Sequence, residues 1–206
     1  FLGDAIITEK KIEVVCETCD WTPDEDAYSI LIDSNEPDFY YETTAEDILK
    51  DPTVFDIIIT RRPELLHLPN AVKVPYGTTL ITEEGRKEDS DLVNKKQPSV
   101  SYTMTNKFLE EMSGYQLRYQ VIDTWETIQS KSSMPVLFYD SAFLPTHFSP
   151  LKLEHPDTGK GRDALMEHMF HIAIENSRHD NYFTEKLLDC LLTKTVPIYF
   201  GCPNIS

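Results

Sequence analysis

The chain has 206 residues, a formal net charge of −16, 40% hydrophobic and 26% charged residues, so it is long enough for one large domain or two small ones, each with its own core. No apolar run approaches the roughly 20 residues that span a bilayer, so no integral membrane segment is expected. The acidic field repels phosphates, which excludes nucleic acid as a partner, and the charge is uneven: residues 1–95 carry −13 and residues 96–206 only −3, so a site for an anionic ligand is expected in the second half.

Apolar, β-branched runs predict strands at 12–15, 30–32, 55–60 and 71–75. Cys16 and Cys19 follow the first of these at a spacing that redox and zinc sites share. No second pair with metal spacing follows, and the two read as strand-end thiols. Four cysteines and no signal-peptide pattern imply a reducing, cytoplasmic setting. A Thr cap and an acidic first turn predict a helix over 43–50, and 63–68 reads as a second short one. Strands alternating with helices imply a mostly parallel sheet.

Residues 83–97 are almost wholly polar and end before Pro98, which places a domain boundary there, with domains at 1–95 and 96–206. A second series then predicts a strand at 100–104, a helix over 114–129, a strand at 136–139, a Pro- and Gly-rich surface loop over 143–161 and a helix over 162–170. A strand at 171–174, a helix over 182–194 and a strand at 196–200 complete it.

The run from Phe170 to Leu187 delivers a buried strand into a polar turn that opens a helix. Such places in parallel sheets bind anions, because unpaired N–H groups and the positive end of the helix dipole face the ligand. Phe183, Leu187, Cys190 and Leu191 lie on one helical face and read as core, while Glu185 and Lys186 lie off it in the first turn. An ordinary solvated helix start is the bland alternative.

Three other patterns carry less. Asp24-Glu25-Asp26 and Asp89-Ser90-Asp91 have the Asp-X-Asp form of metal-dependent transferases, but 17 Asp in 206 residues give about one such triplet by chance. His168, His171 and Glu175 could suggest a metal and are read as packing or surface residues. Gly159-Lys160-Gly161-Arg162 lacks the spacing of a phosphate-binding P-loop.

Glu175-Asn176-Ser177, then Tyr182-Phe183-Thr184-Glu185-Lys186-Leu187, then Val196-Pro197-Ile198-Tyr199-Phe200-Gly201-Cys202-Pro203 resembles the donor-binding signature of glycosyltransferase family 10, the α-1,3/4-fucosyltransferases and their relatives. Tyr102 with Thr105-Asn106-Lys107, followed by Gly114 to Arg118, resembles the start of the same family's donor domain. Over 1–95 the resemblance is confined to residues 55–60, Pro69-Asn70-Ala71 and Pro75-Tyr76-Gly77.

The resemblance implies an α/β fold of the GT-B type, two Rossmann-like domains facing a cleft, with an acceptor domain at 1–95 and a nucleotide-sugar domain at 96–206. It implies an inverting transfer of fucose from GDP-fucose to a glycan hydroxyl, with no metal and no other cofactor. Arg118 and Lys186 would neutralise the diphosphate, Glu185 would hold ribose or sugar hydroxyls, and Asn176 and Tyr182 would line the nucleotide pocket. Glu36 would be the base that takes the acceptor proton, with Asp33 as the alternative. The start at Phe1 and the end soon after Pro203 read as a chain cut short, with its second domain truncated at the C-terminus. A non-catalytic relative that keeps only nucleotide binding is therefore a second reading. A flavodoxin-like regulatory domain without affinity for GDP is a third.

Overall fold

The computed structural model describes residues 11–16, 24, 26–33, 36, 45–75, 81, 92–104, 112–140, 151–152 and 165–205. The chain divides into two compact units, Phe1–Tyr76 with Asn204–Ser206, and Gly77–Pro203. Each is built on its own parallel sheet.

In the first unit the Ile- and Val-rich runs form β1 (Ile12–Val15), β2 (Tyr28–Ile32), β3 (Ile57–Thr60) and β4 (Ala71–Lys73), side by side in chain order and all parallel. Register pairs Val15 with Leu31 and Leu31 with Ile58. Alternation therefore sends these three to one face, where they bury with Ile48, Phe55 and Leu65. Full burial of each such side chain stabilises by roughly 1.5–3 kcal/mol. Ile48 comes from α1 (Ala45–Lys50), whose Glu46 and Asp47 open the helix and whose Lys50 closes it, matching its dipole. Four expectations shift here: the strand expected at 30–32 already begins at Tyr28, and the one expected at 71–75 ends at Lys73. The strand expected from residue 55 starts at Ile57, because Pro52–Val54 is a 3-10 turn capped by the Asp51 side chain. The short helix expected at 63–68 is a 3-10 turn over Pro63–Leu65.

The second unit runs α2 (Leu92–Lys95), β5 (Gln97–Met104), α3 (Ser113–Asp123), α4 (Trp125–Lys131), β6 (Val136–Asp140), β7 (Leu151–Lys152), β8 (His168–Ile174), α5 (Glu185–Leu192) and β9 (Val196–Phe200). The sheet order is β7-β6-β5-β8-β9, every neighbour parallel. Counted by appearance this is 3-2-1-4-5, the doubly wound dinucleotide-binding order, and its direction reverses between β5 and β8. Val100, Tyr102, Met104, Val136, Phe138 and Ile174 face α3 and α4, packing with Ile122 and Trp125. The rings of Tyr102, Trp125 and Phe138 lie 5.4–6.2 Å apart. Ala173 and Cys190 of α5 share a second core with Ile81, Leu165 and Met166.

Four sequence expectations are corrected in this unit. The helix expected over 114–129 is two helices, parted at Thr124, whose hydroxyl donates to Gln120 O at 2.7 Å. The polar stretch ends in α2 and in a strand that already begins at Gln97. The expected loop over 143–161 contains β7. The helix expected over 162–170 is not formed at its end: His168 opens β8, with its ring between Ser99 Oγ and Tyr139 OH, 2.7 Å from each.

Candidate functional site

Rossmann-type sheets bind ligands at the carboxyl edge beside the point where strand order reverses. Here that point lies between β5 and β8, and β8 ends at Ile174. The chain then passes through a buried polar segment, Glu175-Asn176-Ser177, and reaches the start of α5.

Asn181 turns the chain with φ 61, a left-handed conformation that Asn tolerates better than most residues. Tyr182 follows, fully buried. Thr184 is the N-cap, extended at φ −126 and ψ −168, and its hydroxyl accepts from Lys186 N at 3.4 Å. The helix expected from 182 thus begins at Glu185, because the cap ends the turn. At its far end Lys194 N donates to Leu191 O and Thr195 N to Cys190 O, with Lys194 at φ 56. This is a Schellman closure that returns the chain to β9.

Glu175 has no exposed surface. Its Oε1 accepts from Thr184 N at 2.8 Å and from Tyr199 OH at 3.4 Å, and its Oε2 accepts from Thr184 Oγ1 at 2.6 Å. Lys186 Nζ lies 3.7 Å from Oε2, donates to Glu185 Oε1 at 3.0 Å and to Thr184 Oγ1 at 3.2 Å. Burial pushes the Glu175 carboxyl above its ordinary range, against the opposing pull of Lys186 and of the Thr184 hydrogen bonds. Burial likewise pushes the Tyr199 phenol up.

Arg118 enters the same segment from α3. It is buried, its guanidinium lies 4.6 Å from the Tyr115 ring centroid, and its Nη2 donates to the carbonyl of Ile174 and, at 2.9 Å, to Asn176 Oδ1. Residues 174–176 therefore receive both cations singled out in the sequence, Arg118 and Lys186. Asn176 and Glu185 sit beside them. Glu36 and Asp33 belong to the first unit. Asp33, at the end of β2, is buried, accepts from Thr60 Oγ1 at 2.6 Å and pairs with Arg62 at 3.0 Å. Glu36 is half-buried.

Sequence reasoning missed Gly114, Gly201, Thr184 and the role of Glu175. A Cβ at Gly114 would stand 1.7 Å from Glu175 O, and one at Gly201 2.4 Å from Glu175 Cγ. Only glycine lets α3 and the end of β9 close on this segment. The signal for Thr184 was present, a hydroxyl residue followed by an acid at the start of an apolar stripe. Nothing in one sequence reveals which strand a glycine will touch.

His168 and His171 are core residues, His171 Nδ1 lying 2.8 Å from Ser101 Oγ. Among the described residues no three His, Cys, Asp or Glu side chains gather as a metal site requires. Cys16 directly follows β1, while Cys19, Asp89, Asp91 and residues 159–162 lie outside the described residues. No helix among the described residues is long and apolar enough to cross a membrane.

The family model "Glycosyltransferase family 10 (fucosyltransferase) C-term" matches residues 103–205. Alpha-(1,3)-fucosyltransferase B of Drosophila melanogaster is 25% identical over 147 residues, covering 68% of this chain and 30% of that protein. Alpha-(1,3)-fucosyltransferase FucT of Helicobacter pylori is 36% identical over 42 residues, 20% of this chain and 9% of that one. The chain thus matches less than a third of the length of either relative. Solved structures of an α1,3-fucosyltransferase with GDP and with GDP-fucose superpose with TM-scores of 0.52 and 0.53, each at 16% identity and over 93% of this chain and 56% of theirs. At that identity the likeness speaks for the α/β fold with parallel sheets. The family match spans half of the chain, over the segment that carries Arg118, the Glu175–Lys186 cluster and β9, and the chain belongs to glycosyltransferase family 10, the fucosyltransferase family.

Proposed function

We propose that the chain carries an acceptor-side domain at 1–95 and a donor domain at 96–206 of an inverting GT-B glycosyltransferase that moves fucose from GDP-fucose to a glycan hydroxyl. The observation that carries this reading is that Arg118 and Lys186 both contact residues 174–176 beside the switch point, next to the capped N-terminus of α5. Family membership and the GDP and GDP-fucose bound by the similar solved structures support the choice of donor.

In this reading the diphosphate lies at the start of α5. As the bond between the anomeric carbon and the β-phosphate oxygen breaks, GDP departs with added negative charge. Lys186, Arg118 and the helix dipole then stabilise the departing group more than the bound donor. Part of Arg118's contribution is indirect, since its Nη2 holds Asn176. Asn176 and Tyr182 belong to the nucleotide pocket, where the fully buried Tyr182 must be uncovered to touch the donor, and Glu185 holds ribose or sugar hydroxyls. The acceptor oxygen attacks the opposite face of the anomeric carbon, which inverts its configuration, and its proton passes to Glu36. Asp33, buried and paired with Arg62, is the alternative base. The countercharge comes from side chains and a helix N-terminus, so the proposal needs no metal.

The test is a transfer assay on the full-length protein with GDP-fucose and a glycan acceptor. Glu36→Gln should lower turnover by at least about 100-fold while leaving GDP affinity nearly unchanged. Unchanged turnover would move the base to another carboxylate. Retained GDP binding in a parent protein that transfers nothing would favour the non-catalytic reading.

A further inference from the structure

We infer that Glu175 is a positioning residue of the diphosphate site: its buried carboxylate orients the Thr184 hydroxyl and thereby fixes where the Lys186 ammonium sits. The inference rests on the reading of Lys186 as a diphosphate contact and extends it to a residue that touches no ligand.

The geometry is directional. Each hydrogen bond at the Glu175 carboxylate oxygens arrives from a donor: Thr184 N–H, Thr184 O–H and Tyr199 O–H. A hydroxyl has one proton, and Thr184 gives its proton to Glu175 Oε2 at 2.6 Å. Its lone pairs then face Lys186, accepting from Nζ at 3.2 Å and from the backbone N–H at 3.4 Å. Glu175 in turn is held on several sides. Its N–H donates to Phe200 O, Gly201 closes on its Cγ, and Gly114 packs against its carbonyl. The ends of β8 and β9 and the starts of α3 and α5 thus meet at one residue, whose carboxylate takes the contacts from Thr184 and Tyr199.

Stability does not account for this carboxylate. A carboxyl group whose burial makes ionisation harder than in the unfolded chain is less stabilising at neutral pH than its own protonated form would be. Buried ionisable groups held at such a cost cluster at functional sites. Glutamine keeps the shape and an acceptor for Thr184 N–H, but its amide can donate to Thr184 Oγ1 and release that hydroxyl from its orientation.

The experiment is calorimetric titration of the 206-residue chain with GDP and with guanosine, in the parent, Glu175→Gln, Thr184→Val, Lys186→Ala and the Glu175→Gln/Lys186→Ala double variant. Positioning predicts that Glu175→Gln weakens GDP roughly tenfold, within the range of coupling energies between groups of one network, with guanosine changed less than about twofold and the melting temperature not lowered. The double variant should bind GDP no more weakly than Lys186→Ala alone, because without the ammonium there is nothing to position. Thr184→Val should lose the same diphosphate-specific increment, and it carries the comparison if Glu175→Gln does not fold. GDP binding by Glu175→Gln as tight as the parent's, equal losses for GDP and guanosine, or additive losses in the double variant would overturn the inference while leaving Lys186 its role. A Lys186→Ala variant that binds GDP like the parent would overturn the diphosphate reading itself, and this inference with it.

Discussion

The N–H of Gly114, at the second position of α3, donates to the carbonyl of Asn176 at 3.0 Å, and the two backbones meet so closely that a Cβ at Gly114 would fall 1.7 Å from the neighbouring Glu175 oxygen. Side-chain motion cannot relieve that overlap, because the obstacle is main chain. The contact sets the depth at which α3 lies against the end of β8, and with it the reach of Arg118 to Ile174 O and Asn176 Oδ1.

Gly114→Ala should therefore destabilise the second unit by about 1–3 kcal/mol or more, the usual cost of overpacking, even though alanine is the better helix former. Urea unfolding followed by Trp125 fluorescence in a Trp21→Phe background measures it. The same variant should weaken GDP through displaced Arg118, and an unchanged transition midpoint would contradict the close approach.

Arg118 and Lys186 should separate in their effects. A charge-assisted contact is worth on the order of 1.5–3 kcal/mol, so each alanine variant should weaken GDP by about 10- to 150-fold and leave guanosine nearly unaffected. Arg118 is buried and ties α3 to β8, so Arg118→Ala should also lower the melting temperature, and Arg118→Lys, lacking the planar fork, should not restore it. Lys186, whose side chain keeps 20% of its surface exposed, should lose affinity with little loss of stability. Parallel stability losses in the two alanine variants would show that Arg118 is no more structural than Lys186.

Much of this arrangement was legible before the structure. Two β/α series, the terminal strand 196–200 and the grouping of Asn176, Glu185 and Lys186 at one strand end all follow from apolar periodicity and turn residues. The sheet order was not legible, because sequence shows that strands alternate with helices but not that β8 returns beside β5. His168 hid the start of β8 for a similar reason. A histidine in a run without β-branched residues reads as helix until Ser99 and Tyr139 are seen to satisfy its ring. The split of α3 from α4 at Thr124 was masked by an apolar pattern that continues through it, from Ile122 to Trp125 and Ile128.

His168 makes a prediction about pH. Burial lowers its pKa below the ordinary 6.5, so the folded chain resists a proton that the unfolded chain accepts. Above that value both states are neutral and His168 adds no pH dependence. As pH falls below about 6.5 the unfolded state gains the proton first, and stability should decline toward the folded pKa, by at most about 1.4 kcal/mol per pH unit. Urea titrations at pH 7.5 and 5.5 should show a smaller decline in His168→Gln than in the parent. Equal declines would mean that the buried ring does not contribute.

A metal-independent diphosphate site at the start of α5 is read out by titrating the 206-residue chain with GDP in EDTA, beside Lys186→Ala. GDP should raise the melting temperature of the parent more than UDP, ADP or CMP at equal concentration, EDTA should leave this unchanged, and Lys186→Ala should lose most of it. No shift with GDP, a shift abolished by EDTA, or a Lys186→Ala response equal to the parent's would contradict it.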